Sequence, residues 1–188
     1  RVLFRSGVDV RDMTQKELRD KLGYVPQKGV LFSGTIDSNI RYGKPEITDA
    51  QVKEAAEVAQ ATEFIDTKPE KYESPVSQGG TNVSGGQKQR LSIARAIAKE
   101  PEIFIFDDSF SALDFKTDSQ LRKALKEYTK DATTVIVAQR ISTILGADQI
   151  IVLDDGHMAG IGTHKELMAN CEVYQQIARS QLSEEELA

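Results

Sequence analysis

A chain of 188 residues is long enough for one ordinary domain with a real core, with room for a smaller subdomain. Its 39% hydrophobic and 28% charged residues fall in the soluble globular range and exclude disorder as the starting expectation. The net charge of −5, with Lys and Arg concentrated nowhere, argues against a general nucleic-acid surface, and no apolar run approaches the roughly 18 residues of a membrane span.

The opening RVLF (1–4) reads as mid-strand and follows neither a Met nor a signal peptide, so the chain is expected to be a piece of a longer polypeptide. After the apolar stretch Val2 to Phe4 and a turn at Ser6-Gly7, Thr14 with Glu17 forms a capping box that opens a short helix through Leu22. Gly23 is expected to end it, and Tyr24-Val25-Pro26 to form a brief strand. Thr48 with Gln51 is a second capping box, and Val52, Ala55, Ala56 and Ala59 recur behind it at helical spacing. Residues 66–82, with Pro69, Pro75 and Gly79-Gly80, read as loop around at most a short helical turn.

A helix over about 85–99 carries Leu91, Ala94, Ile97 and Ala98 on one face. IFIF (103–106) reads as a buried strand, Leu121, Leu125 and Tyr128 mark a helix, and TTVIVA (133–138) reads as another buried strand. QIIVLDDGHMAGIG (149–162) predicts two strands around an Asp-Gly turn. Thr163 with Glu166 caps a last long helix, and SEEEL (183–187) reads as a solvated tail. Continuous apolar strands separated by helices indicate a parallel sheet covered on both faces, the α/β class. The single cysteine, Cys171, cannot form an internal disulfide, which points to a reducing compartment. With only two histidines in the chain and neither near it in sequence, it reads as a packed or surface residue rather than a nucleophile.

Five short stretches carry chemistry. Ser84-Gly85-Gly86-Gln87 is at least a helix cap, and its glycines would also let a phosphate approach bare amides at a positive helix end. Asp107 closes a strand, the usual place for a carboxylate that orients Mg²⁺ and its waters on a triphosphate, although an acidic pair can also simply begin a solvent loop. Asp114, in SALD (111–114), could be no more than a helix cap. Gln27, beside Pro26, and Gln139, just past a strand, carry almost no information singly.

Together, in this order, YVPQ (24–27), VSGGQ (83–87), IFIFDD (103–108), SALD (111–114) and VIVAQR (135–140) closely resemble the nucleotide-binding domain of ATP-binding cassette (ABC) transporters, over nearly the whole chain. They correspond to the Q-loop, the signature, Walker B, the D-loop and the place of the histidine switch. LFSGTIDSNIRYG (31–43) is similar to the exporter branch, in which such domains are fused to membrane helices. The resemblance implies a P-loop NTPase-like parallel sheet flanked by helices. A RecA-like core would span 1–44 and 92–188, and an inserted α-helical subdomain 45–91.

The same resemblance implies ATP and Mg²⁺ as ligands. Asp107 and Gln27 would hold the metal, and Asp108 would polarise the attacking water. Ser84, Gly85 and Gly86 would contact the γ-phosphate of an ATP bound to an opposite domain, with Gln87 supporting the loop. Asp114 and Gln139 would complete the set. The implied partners are a transmembrane domain and a second nucleotide-binding domain, at the cytoplasmic face of the cell membrane, with no nucleic acid involved.

The chain departs from that pattern. No G-x-x-x-x-G-K-[ST] occurs in it, so the phosphate-cradling loop is expected to be missing by truncation and the piece to bind ATP weakly or not at all. Asp108 stands where the family has its catalytic glutamate, Gln139 where it has the switch histidine, and Gln78 where exporters often carry a glutamate before the signature. Such substitutions resemble the degenerate-site half of a heterodimeric exporter. The alternatives are a soluble ABC ATPase of repair or translation, or a non-catalytic scaffold. Only 56 residues (28–83) separate Gln27 from Ser84, too few for the long coiled-coil insertion of repair members. Loss of the Walker A strand is expected to leave the Q-loop, Walker B and switch strands contiguous and the C-terminal strands without a neighbour.

Overall fold

Hydroxyl residues set most of the helix starts. The computed structural model describes residues 4–5 and 8–183. Phe4–Arg5 (β1) pairs antiparallel with Val8–Asp9 (β2), while Val2, Ser6-Gly7 and residues 184–187 of the acidic tail lie outside the described residues. Thr14 caps Gln15–Asp20 (α1) through the expected box: Glu17 N–H donates to Thr14 Oγ1 (3.2 Å) and Thr14 N–H to Glu17 Oε2 (2.8 Å). Gly23 does not end this helix but lies inside the next strand, Leu22–Val25 (β3). A Cβ there would stand 2.6 Å from Pro101 Cγ, so the glycine serves close packing.

Gly34–Thr35 (β4) leads into Ile36–Ile40 (α2), boxed by Thr35 and Ser38. Thr48 and Gln51 box Asp49–Val58 (α3), which buries Val52, Ala55 and Ala56, and Thr62–Asp66 (α4) follows. The stretch 66–82 holds single 3₁₀ turns at Lys71–Glu73 and Gln78–Gly80 and, unexpectedly, a strand, Pro75–Val76 (β5), paired antiparallel with β4. Next come Gly85–Ala98 (α5), Ile103–Asp107 (β6), Phe115–Tyr128 (α6) and Thr133–Val137 (β7). Beyond them lie Ile141–Ile144 (α7), Ile150–Asp154 (β8) and His157–Gly162 (β9), the last two joined at Asp155-Gly156 as expected. The last long helix is in fact two, His164–Asn170 (α8) and Glu172–Gln181 (α9), because Cys171 takes an extended conformation between them.

The chain divides into two compact units at Val137/Ala138. In the first, β3, β6 and β7 form one parallel sheet in that order, with Val25 beside Phe106 and Phe106 beside Ile136. These three strands are contiguous as expected, and β8–β9 forms a separate antiparallel pair. Val25, Phe104 and Phe106 point to the buried face and join the core that includes Leu91, Ile93 and Ile97 of α5.

The opposite face corrects the expectation of a sheet covered on both sides. Tyr24, Val135 and Val137 on it are 55%, 47% and 51% exposed, and β7 pairs with β6 alone among the described residues. An apolar run shows that a strand can be buried, not that anything covers its second face. The second unit has its own core of Ile141, Ile150, Val152, Leu167, Tyr174 and Ala178, in which Cys171 is buried as a packed residue.

Candidate nucleotide-binding site

In the first unit Gln27, Asp107 and Asp108 converge at the C-terminal ends of two neighbouring parallel strands, where open α/β sheets place their ligands. The register that sets Val25 against Phe106 carries Gln27 alongside Asp108. Gln27 Nε2 donates to Asp108 Oδ2 at 3.1 Å. Asp107 lies on the open face of the sheet, where Tyr24 Oη donates to its Oδ2 at 3.2 Å. Partial desolvation, then this bond and the carboxylate's charge, push the Tyr24 phenol above its ordinary pKa.

Asp108 has φ of 43°, a left-handed conformation that turns the chain sharply off β6, while its N–H still donates to Val137 O at 2.9 Å. Ser109, which sequence reasoning passed over, fixes this turn. Its buried hydroxyl donates to Val25 O (2.9 Å), with Asp107 O 3.2 Å away, and so ties the end of β6 to β3.

The SGGQ segment forms the first turn of the 14-residue α5. Gln87 N–H donates to Ser84 Oγ (3.2 Å) and Ser84 N–H to Gln87 Oε1 (3.1 Å), so Gln87 supports the turn by closing a capping box. A Cβ on Gly85 would meet nothing within 4 Å, whereas one on Gly86 would lie 3.4 Å from Ala112 O. One glycine is open to an incoming anion and the other seats the turn against residues 111–114. The free amides of this turn and the positive helix end suit a phosphate.

Asp114 caps α6, accepting from Thr117 N–H (3.0 Å) and Thr117 Oγ1 (2.7 Å), and these bonds hold its carboxyl below the usual range. Ser111 Oγ donates to Asp108 O at 3.0 Å and closes the loop between β6 and α6. Gln139 lies in the second unit, exposed, with its carbonyl accepting from Gln181 Nε2 at 2.9 Å. The structure thus brings together Gln27, Asp107 and Asp108, and it seats Ser84–Gln87 against the loop that ends at Asp114.

Sequence reasoning also missed Gln89. This side chain, 2% exposed, accepts from Gly29 N–H (3.0 Å) and donates to Pro26 O (3.1 Å). The signal was the phase it shares with Ile93 and Ala96, at i, i+4 and i+7 on one helix face. Gly29 lies so close to α5 that a Cβ would stand 2.8 Å from Ser92 Oγ and 3.0 Å from Lys88 O. Gly29→Ala is therefore expected to lower stability by about 1–3 kcal/mol, read as a lower urea midpoint. An unchanged midpoint would mean that the 26–29 segment does not hold this close approach.

The carboxylates and amide at the strand ends offer hard oxygen donors of the kind Mg²⁺ takes. Among the described residues no group of three or more His, Cys, Asp or Glu side chains could hold a metal. That donor set fits a magnesium ion held by one or two carboxylates with phosphate oxygens filling the remaining positions.

Residues 1–111 match the family model described as ABC transporter. An uncharacterised ABC transporter ATP-binding protein of Mycobacterium tuberculosis is 46% identical over 178 residues, 93% of this chain and 30% of that protein. A Staphylococcus aureus protein, provisionally named as a multidrug export ATP-binding/permease protein, is 44% identical over 171 residues, 91% of this chain and 30% of that one. Among solved structures, a bacterial Atm1-family ABC exporter with ATP bound superposes with a TM-score of 0.90 at 39% identity, covering 95% of this chain and 31% of that one. The chain spans about 30% of the length of the relatives it matches. Motifs, α/β fold and relatives agree, and the chain belongs to the ABC transporter family.

Proposed function

We propose that this chain is the ATP-binding segment of an exporter and one half of an asymmetric pair. In the full-length protein its own site binds Mg–ATP and hydrolyses it slowly, and its signature turn completes a faster site on the partner. The observation that carries this reading is Asp108, an aspartate whose carboxylate already accepts a hydrogen bond from Gln27. A carboxylate base must come within about 2.6–3.2 Å of the proton it takes. Aspartate falls short of glutamate by one carbon–carbon bond, about 1.5 Å.

Gln139 is the second substitution. It can donate a hydrogen bond to a phosphate but has no imidazole to take a proton. Loss of general-base assistance costs on the order of 10²–10⁴ in rate.

In this reading Asp107, with Gln27, holds the magnesium ion, which supplies charge neutralisation on the phosphates when bound. Tyr24 orients the Asp107 carboxylate, and Gln27 restrains Asp108. Ser84 contacts the partner's nucleotide alongside the amides of Gly85 and Gly86, and Asp114 holds the loop beside them. Residues 45–91 form the helical subdomain between the two halves of the core, 1–44 and 92–188.

The relatives' printed names, export and permease among them, favour an exporter over a soluble repair or translation ATPase and point to a transmembrane domain as the coupled partner. By likeness to those exporters the segment would work at the cytoplasmic face beside that domain; no helix among the described residues is long and apolar enough to cross a membrane.

The test is Asp108→Glu with Gln139→His in the full-length heterodimer, with turnover assigned to each site by nucleotide trapping. This chain's site should gain about 10²-fold or more. Equal turnover at both sites in the wild type would sink the asymmetric reading.

A further inference from the structure

Gln89 accounts for a connection that the motifs do not. It lies on α5 five residues after Ser84, with the Ser84–Gln87 turn at that helix's start. Its side-chain amide reaches out of the helix and grips the segment 26–29 at both ends. The oxygen accepts a hydrogen bond from the N–H of Gly29 and the nitrogen donates one to Pro26 O. Between those two anchors sits Gln27, whose own amide meets Asp108. The side chain is 2% exposed, and Gly29 packs directly on Lys88 O and Ser92 Oγ. Releasing either bond would leave a buried amide group unpaired, an expensive state in a low-dielectric interior. The segment 26–29 and helix α5 are therefore held together as one body.

We propose that Gln89 is a positioning residue that couples Gln27 to the signature helix. A change at this chain's own nucleotide site is then passed along α5 to Ser84–Gln87, the turn that completes the partner's site. The inference rests on the paired-site reading above. A buried glutamine could also be simply a satisfied core group, and the two roles differ in what Gln27 does to them. A structural prop loses its worth with or without Gln27, whereas a positioning residue has nothing to position once the Gln27 amide is gone.

The experiment is a double-mutant cycle in the full-length protein assembled with its partner, using Gln27→Ala, Gln89→Met and both together. Methionine keeps the side-chain length and removes both hydrogen bonds. ATP turnover is measured against ATP concentration, and amide hydrogen exchange is followed in peptides covering residues 26–30. Gln89→Met should lower kcat on the order of 10- to 100-fold with little change in KM, the scale expected for a misplaced reacting group. In the Gln27→Ala background it should add less than about twofold, since residues acting as a unit are not additive. Losses that multiply in the double variant would overturn the proposal and leave Gln89 a structural residue.

The exchange arm reads the contact itself. The Gly29 amide should lose protection in Gln89→Met and keep it in Gln89→Glu, which retains the acceptor oxygen. Unchanged exchange in the Met variant would overturn the link without reference to turnover. A wild-type assembly that hydrolyses no ATP would instead defeat the paired-site reading, and the exchange arm would still decide whether Gln89 holds the loop.

Discussion

Asn39→Ala is expected to lower the folding free energy by about 3–4 kcal/mol, a large loss for one polar side chain. Asn39 is 1% exposed, and every hydrogen-bonding group it has is engaged. Its oxygen accepts from Phe32 N–H and Arg95 Nη2, both at 2.9 Å, and its nitrogen donates to Phe32 O and Thr35 O at the same distance. Arg95 in turn donates to Asn39 O (2.8 Å) and Val30 O (2.9 Å), and its guanidinium lies 5.2 Å from the Phe32 ring and 5.5 Å from the Tyr42 ring, which stack on each other.

Burial opposes the Arg95 charge and holds its pKa below the ordinary value, so the oxygens around it matter more than they would at a surface. Alanine would strip one of these oxygens and leave several half-buried partners unpaired, each costing up to about 1–3 kcal/mol in isolation, with water entering to recover part of the loss. Equilibrium urea unfolding reads the effect as a midpoint lower by about 2 M, for a slope near 2 kcal/mol per M. A loss below about 1 kcal/mol would mean that the Phe32–Thr35 turn is satisfied by other partners.

Phe104→Ala should cost about 3–5 kcal/mol. The ring is 1% exposed, lies 5.9 Å from Phe106 and meets Tyr128 edge-on at 6.5 Å. It also flanks Gly23 on the neighbouring strand, so the cavity left behind is walled by two strands and a helix and has little room to collapse. Ile105→Ala, one residue on and pointing to the open face, should cost about half as much or less. The contrast tests the sheet's orientation, since similar losses at 104 and 105 would mean that both faces of β6 are buried alike.

Local chemistry was legible wherever one residue's neighbours in sequence decide its role. The pairs Thr14–Glu17, Thr48–Gln51, Ser84–Gln87 and Thr163–Glu166 all close the capping boxes their spacing promised. Thr35–Ser38 closes one too but lacks the Glu or Gln that would have announced it. The two-residue strands β4 and β5 are too short to show a period. Cys171 breaks the last helix without any Gly or Pro to mark the place.

The site was legible as a set of motifs, because Gln27, Asp107 and Asp108 stand at strand ends that sequence alone locates. Its scaffolding was not. Gln89, Ser109 and Asn39 are polar residues turned inward, and a polar letter is by default assigned to the solvent face. The exposure of β7 was hidden for the converse reason, since valines read as interior whatever lies beside them.

Helix α5 also makes the distances between motifs a property of a screw. Gln89 and Arg95 hold the chain from Pro26 to Val30 and Asn39, and Ser84 caps the turn whose Gly86 packs on Ala112 O, all from one rod that advances about 100° per residue. Adding or deleting a single residue between them would turn the downstream anchors by that angle and point them away from the loops they hold. Among the residues of α5 only Gly85 is exposed, so substitutions have little room to accumulate, and the length between positions 84 and 95 cannot drift. In this segment the number of residues is under as strong a constraint as their identity.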